Sequence, residues 1–184
     1  MEHGFQSSSL RNIVKEAGVT TGAFYGYYKT KEELFDAIVN KSASSFLSLY
    51  DNMLAEFEQL SVDEQVNSLK SRSTDMKAIV DCVYEDCEAF QLIIYQSKGT
   101  RYEDFIHQVM QREMDATHRF TEIAKIQGAV LKEIDGQLEH LLLSGFFWAL
   151  FELVVHNIPK EKAYTYTAVL QDFYMAGWEK IMGF

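Results

Sequence analysis

Apolar residues recur along this chain at intervals of three and four, and the pattern predicts helices from end to end. Residues 7–28 read as two short helices with a tight break. Leu10, Ile13, Val14 and Ala17 form one apolar face, with Ser8 or Ser9 placed to cap its start. Gly18 supplies the left-handed residue that ends such a helix, and Val19 is expected to plug into the core. Thr20 can cap the second helix, in which Phe24 and Tyr28 share a face. Thr30-Lys31-Glu32-Glu33 is a capping box that opens a long helix with Leu34, Phe35, Ile38, Val39, Phe46, Leu49, Tyr50, Met53, Leu54 and Phe57 at its apolar positions. A second capping box stands at Ser61–Glu64. Amphipathic segments follow near 74–84 and 88–97, broken at Lys98-Gly99-Thr100. A long helix is expected from Tyr102 to Gln127, and a very apolar one from Asp135 or Gly136 to about Asn157. Pro159 fits the first turn of a last helix running to Met182, with Gly183 beyond it.

One proline and ten glycines in 184 residues are few breakers, which strengthens the all-α expectation. The most apolar run, Leu141–Val155, is interrupted by Ser144 and Glu152 and falls short of a membrane span; nothing at the N-terminus has the pattern of a secretory signal. Cys82 and Cys87, five apart, are expected as reduced thiols on different faces of one helix. The reading is a cytoplasmic protein without a membrane segment. Charge is unevenly divided. Residues 1–41 hold five basic and five acidic side chains, and residues 42–184 hold twelve basic and twenty-two acidic. The acidic body argues against nucleic acid as a partner of the whole chain, but not against a small binding module at one end.

The pair of short helices joined at a glycine has the outline of a helix-turn-helix. In that arrangement the first helix anchors the second, which exposes small and hydrogen-bonding residues to a DNA groove. Thr21, Gly22, Ala23, Gly26 and Tyr27 suit that exposed role, and Tyr25, Tyr27, Lys29 and Lys31 suit phosphates. Spacing alone fits equally a plain helical hairpin with surface tyrosines.

The stretch from Gly4 to Leu34, with Ala17-Gly18-Val19-Thr20-Thr21-Gly22-Ala23-Phe24-Tyr25-Gly26-Tyr27-Tyr28-Lys29-Thr30-Lys31-Glu32-Glu33 at its centre, closely resembles the DNA-binding signature of TetR-family transcriptional regulators. The resemblance covers about the first fifth of the chain. It implies that Thr20–Tyr28 is the recognition helix, with DNA contacts from Thr20, Thr21, Gly22, Tyr25, Tyr27 and Lys31, supported by Lys29. It further implies a homodimer on a palindromic double-stranded DNA operator, released when a small molecule enters the C-terminal domain. That domain diverges widely between members, so no particular effector carries over. Two departures stand out. The family places a further helix before Gly4, where Met1-Glu2-His3 stand here. Val14 occupies a close helix crossing that usually takes alanine, so a slightly shifted crossing is expected.

The resulting division is 1–41 as helix-turn-helix DNA-binding domain and 42–184 as ligand-binding and dimerisation domain. The last two helices are the dimer candidates, through Phe146, Ala149, Phe173 and Ala176; the other possibility is that they are buried wholly within one subunit. Tyr84, Phe90, Tyr95, Phe105, Met110, Met114, Phe147, Trp148, Phe151 and Tyr174 are candidates to line a cavity, although aromatic and methionine residues at helical spacing also make plain core. His107, His118 and His140 offer polar contacts but no convincing metal set, and no cofactor motif is present. Without G-x-S-x-G, P-loop, H-E-x-x-H or G-x-G-x-x-G, the chain does not read as an enzyme. The function expected is a ligand-responsive DNA-binding repressor. The alternative is a dimeric protein-interaction adaptor with a non-functional DNA-binding head.

Overall fold

The computed structural model describes residues 4–71 and 76–183, which form nine helices and no strand. The head holds α1 (Leu10–Glu16) and α2 (Thr21–Tyr27). It is followed by α3 (Lys31–Glu58), which carries the chain from head to body without a break, so the 41/42 boundary falls inside one helix. The body adds α4 (Val62–Ser71), α5 (Met76–Tyr84), α6 (Cys87–Tyr95), α7 (Phe105–Ile126), α8 (Gly136–Val155) and α9 (Lys160–Met182). Residues 74 and 75 of the expected 74–84 segment lie outside the described residues.

The capping signals act much as expected. Thr20 Oγ accepts from Ala23 N and Thr30 Oγ from Glu33 N, both at 3.1 Å. Glu33 reaches one residue further back than a capping box requires and accepts from Lys29 N at 2.6 Å. At the second box Glu64 accepts from Ser61 N at 2.9 Å, and Asp135 caps α8 through Gln137 N and Leu138 N. Gly18 takes φ +68° and Gly183 φ +83°, the left-handed residues that close α1 and α9.

Several local expectations are corrected. Ser9 stands at the α1 cap, but neither serine caps it: Ser9 makes no capping bond, and the Ser8 hydroxyl donates to Phe5 O. Val19 is 47% exposed. The turn binds it through its amide, to Val14 O at 2.9 Å, and leaves the side chain in solvent. Ala17 and Ile38 are exposed as well. Pro159 stands one residue ahead of α9, in extended backbone. α7 begins at Phe105, because Tyr102 turns back in the preceding loop to donate to Asp36 Oδ1 at 2.6 Å. Cys82 and Cys87 are free thiols on two helices, α5 and α6, rather than on two faces of one, and burial pushes both thiols up.

The body's core is a joint of phenylalanines from four helices. Phe46 of α3, Phe90 of α6, Phe105 of α7 and Phe151 of α8 pack with ring centroids 5.3–6.3 Å apart, and all are almost completely buried. α8 is the one helix among the described residues long and apolar enough to cross a membrane by length and composition. Here Leu143, Phe147, Leu150, Phe151 and Val154 bury against the protein's own core, and α8 packs on α6, α7 and α9. α5 also leans on α9, and α3 on α5, α6 and α7. The leading turn of the head rests on this body: Phe5 N donates to Gln96 O at the end of α6 (2.9 Å), and the Phe5 ring meets Phe35 edge-on at 5.4 Å.

Candidate functional site

α2 is a short helix with one buried side chain. Phe24 is 6% exposed and meets the Tyr28 ring at 5.7 Å, while Val14 is buried on the facing helix α1. With that side anchored, the others turn outward. Thr20, Thr21, Gly22, Ala23 and Gly26 are exposed, Tyr25 is 57% exposed and Tyr27 85%. An exposed helix lined by small residues and two tyrosine hydroxyls can enter a DNA major groove, where its first turn reaches base edges and its hydroxyls reach phosphates.

The two lysines expected at phosphates are placed differently. Lys29 is exposed. Lys31 is half-buried; its Nζ donates to Phe5 O at 2.5 Å and Ser8 O at 2.9 Å and lies 4.2 Å above the Phe5 ring. The Lys31 ammonium thus binds the start of the head to α3. Lys31→Met is expected to lower the melting temperature, since two carbonyls lose a charged donor worth about 1.5–3 kcal/mol, and to leave the salt dependence of DNA binding unchanged. Lys29→Ala should reduce that slope by about one while leaving melting unchanged. Equal slopes for the two variants in a salt-titrated binding assay would refute this assignment.

In the body, α3, α4, α5, α7, α8 and α9 enclose a cavity of about 200 Å³. Its wall is apolar and aromatic: Tyr50, Met53, Leu54 and Phe57 from α3; Ala116 and Phe120 from α7; Leu143, Phe146 and Phe147 from α8; Tyr174, Met175, Trp178 and Met182 from α9. Of the cavity residues expected from sequence, Phe147 and Tyr174 are in this wall. Phe90, Phe105 and Phe151 close on one another in the phenylalanine joint, and Met110 is buried in the same core, with Met114 packed against it. Tyr84 turns to the start of α9 and donates to Ile158 O at 2.7 Å. Tyr95 and Trp148 pair on the outer surface, where Tyr95 donates to Glu152.

Sequence reasoning missed the polar centre of this cavity. Glu113 sits on α7 among apolar neighbours, and the Tyr50 hydroxyl donates to its Oε2 at 2.5 Å. Burial raises the Glu113 carboxyl above the usual carboxylate range, and nearby Glu139 raises it further, against the Tyr50 hydrogen bond. The same burial, with Glu113 beside it, pushes the Tyr50 phenol well up. Glu139 is itself buried, with its Oε2 2.8 Å from His118 Nε2. A signal was available in sequence: Glu113 interrupts the buried stripe Val109, Met110, Ala116, Phe120. The other two histidines, His107 and His140, lie with ring centroids 6.0 Å apart. Among the described residues no group of three or more His, Cys, Asp or Glu side chains is placed to hold a metal.

The outer faces of α8 and α9 stay uncovered. Leu138, Leu141, Trp148, Tyr166, Val169 and Phe173 are 41–73% exposed, Ala176 is exposed, and Phe146 and Ala149 are half-buried. Gly145 of α8 faces Tyr174 of α9. A Cβ there would stand 2.6 Å from the Tyr174 hydroxyl, and the Tyr174 ring meets Phe146 edge-on at 5.2 Å and Phe173 at 5.4 Å.

An exposed helix on a tight helical pair, joined by one long helix to a cavity-bearing helical body, defines a helix-turn-helix DNA-binding regulator. Residues 1–38 match the family of bacterial regulatory proteins, tetR family. The chain is 27% identical over 187 residues to the HTH-type transcriptional regulator AcrR of Shigella flexneri, covering 95% of this chain and 83% of that one. It is 23% identical over 150 residues to an HTH-type transcriptional regulator of Staphylococcus aureus, covering 78% of each. The head thus matches the tetR family of regulatory proteins, and the chain is similar over most of its length to HTH-type transcriptional regulators. A solved transcriptional regulator (TerR/AcrR family) from Aquifex aeolicus aligns with 98% of this chain and 91% of its own at 21% identity and a TM-score of 0.47, too loosely to transfer helix positions.

Proposed function

We propose that this protein is a homodimeric repressor that holds a palindromic DNA operator and releases it when a small molecule fills the body cavity. The observation that carries this reading is the course of α3. Its first turn is tied to the head through Lys31, and its far half supplies Tyr50, Met53, Leu54 and Phe57 to the cavity wall. A ligand that favours one arrangement of the cavity therefore acts on the helix that sets the position of the head. Thr20, Thr21, Gly22, Tyr25, Tyr27 and Lys29 form the DNA-facing set, and the protein works in the cytoplasm, where its operator lies.

The exposed apolar faces of α8 and α9 support the dimer, since two such faces bury each other in a four-helix contact. Phe173→Asp is expected to give monomers by sedimentation or size-exclusion chromatography and to abolish tight operator binding. A soluble dimer carrying Phe173→Asp would place the interface elsewhere. Selection from randomised duplex DNA tests the function as a whole. A two-fold symmetric site bound with steep salt dependence is expected, and failure to enrich any sequence would sink the reading.

A further inference from the structure

We infer that the cavity takes a small apolar molecule carrying one positive charge, bound with its charge against Glu113 and its body among the aromatic rings. The inference rests on reading the cavity as the effector site and specifies the class of ligand for that site.

Three observations converge. Among the described residues the cavity wall holds no lysine or arginine, and the one carboxyl there is Glu113. Tyr50 takes one Glu113 oxygen, and among the described residues Glu113 has no other hydrogen-bond partner. Tyr50, Phe57, Phe120, Phe147, Tyr174 and Trp178 line the same wall, and an aromatic ring attracts a cation that lies over its face. An anion would face a carboxyl across an apolar wall. A neutral apolar molecule would leave the carboxyl oxygen unpaired, which costs free energy. A cation with an apolar body satisfies both the carboxyl and the rings. Size narrows the class further: about 200 Å³ is below the roughly 300–1,000 Å³ of drug-sized pockets, so the site suits one or two rings. Met53, Met76, Met175 and Met182 line the wall with unbranched side chains that can repack around differing shapes.

A proton follows from the same geometry. With the cavity empty, burial and the neighbouring Glu139 favour the neutral acid at Glu113. The titratable groups that face it are Tyr50 from α3, Glu139 from α8 with its His118 partner on α7, and Tyr174 from α9. Among the described residues α4 and α5 bring Leu69, Met76 and Ile79 to the wall. A permanent cation in the site favours the carboxylate and so competes with the proton at Glu113. Affinity for the cation therefore rises with pH until the empty site is itself ionised, and affinity for a neutral ligand does not.

The test compares benzyltrimethylammonium with its neutral carbon isostere, neopentylbenzene, by titration calorimetry on the full chain. The cation is expected to bind at least tenfold more tightly, releasing up to one proton, as read from the heats in two buffers of different ionisation enthalpy. Glu113→Gln, which keeps the side chain's shape, should erase the preference while retaining neopentylbenzene. Should that variant not fold, the wild-type pH dependence decides, because only the cation's affinity should climb with pH. Equal binding of the two ligands, tighter binding of the neutral one, or no binding of the cation overturns the inference. A parallel titration on the selected operator duplex separates the two readings. A cation that binds without displacing DNA supports the ligand class and defeats the effector role. Displacement by the neutral isostere as readily as by the cation defeats the ligand class and keeps the effector role.

Discussion

Phe151→Ala should destabilise this protein by about 3–5 kcal/mol, a large share of the roughly 5–15 kcal/mol that holds a typical domain together. Phe151 is completely buried, and its ring meets Phe46 at 5.3 Å, Phe105 at 5.9 Å and Phe90 at 6.0 Å. Those partners come from α3, α7 and α6, so truncation opens a void where four helices meet, and no single helix can move to fill it without pulling on the others. The wall residues Phe146 and Phe147 already border an opening, so alanine at Phe146, which is half-buried, should cost clearly less than at Phe151. Denaturant unfolding at constant m-value measures both. Similar midpoints for the two variants would mean that the four-ring joint is no tighter than the cavity wall.

The second large effect separates folding from DNA binding within one seven-residue helix. Thr21→Ala and Tyr27→Phe remove groups exposed to solvent, and each should leave the melting temperature within the range of an ordinary surface change, about 0.5 kcal/mol. Operator affinity should fall, by about 1–3 kcal/mol for Thr21→Ala if its side chain reads a base edge and by less for the Tyr27 hydroxyl on a phosphate. Phe24→Ala should behave in the opposite way. It removes the buried anchor between α1 and α2, costs about 3–5 kcal/mol of packing, and loses DNA binding only because the helix is no longer held. Melting curves beside operator titrations discriminate the cases. Lower melting for Tyr27→Phe with unchanged binding would reverse the assigned orientation of α2.

The helical layout was largely legible in the sequence because helix ends are local chemistry. Thr20, Thr30, Ser61 and Asp135 cap at their own positions with partners two or three residues on, and no tertiary information is needed. Side-chain direction in the turns was less legible. Val19 is apolar, but its turn is set by a backbone bond to Val14, and Lys31 faces inward because the carbonyls of Phe5 and Ser8, over twenty residues away, converge on it. The cavity was hardest to foresee. Periodicity marks which residues face inward but not whether the space they face is filled. Phe105 and Phe151 share a pattern with Phe120 and Phe147, yet the first pair closes a core and the second lines an opening. The informative residue was polar: Glu113, a charge in a stripe that otherwise buries.

Gly145 links two surfaces that selection usually treats separately. It sits on the outer side of α8, yet the atom nearest its missing side chain is the hydroxyl of Tyr174, a wall residue of the cavity. Alanine there would meet that hydroxyl at 2.6 Å, so the Tyr174 side chain must shift. A single methyl group on an exposed position of the helix thereby moves a residue of the cavity wall. On the proposed function, a change at this codon alters the effector space through a residue outside the cavity lining, and a search for altered responsiveness confined to that lining would overlook it.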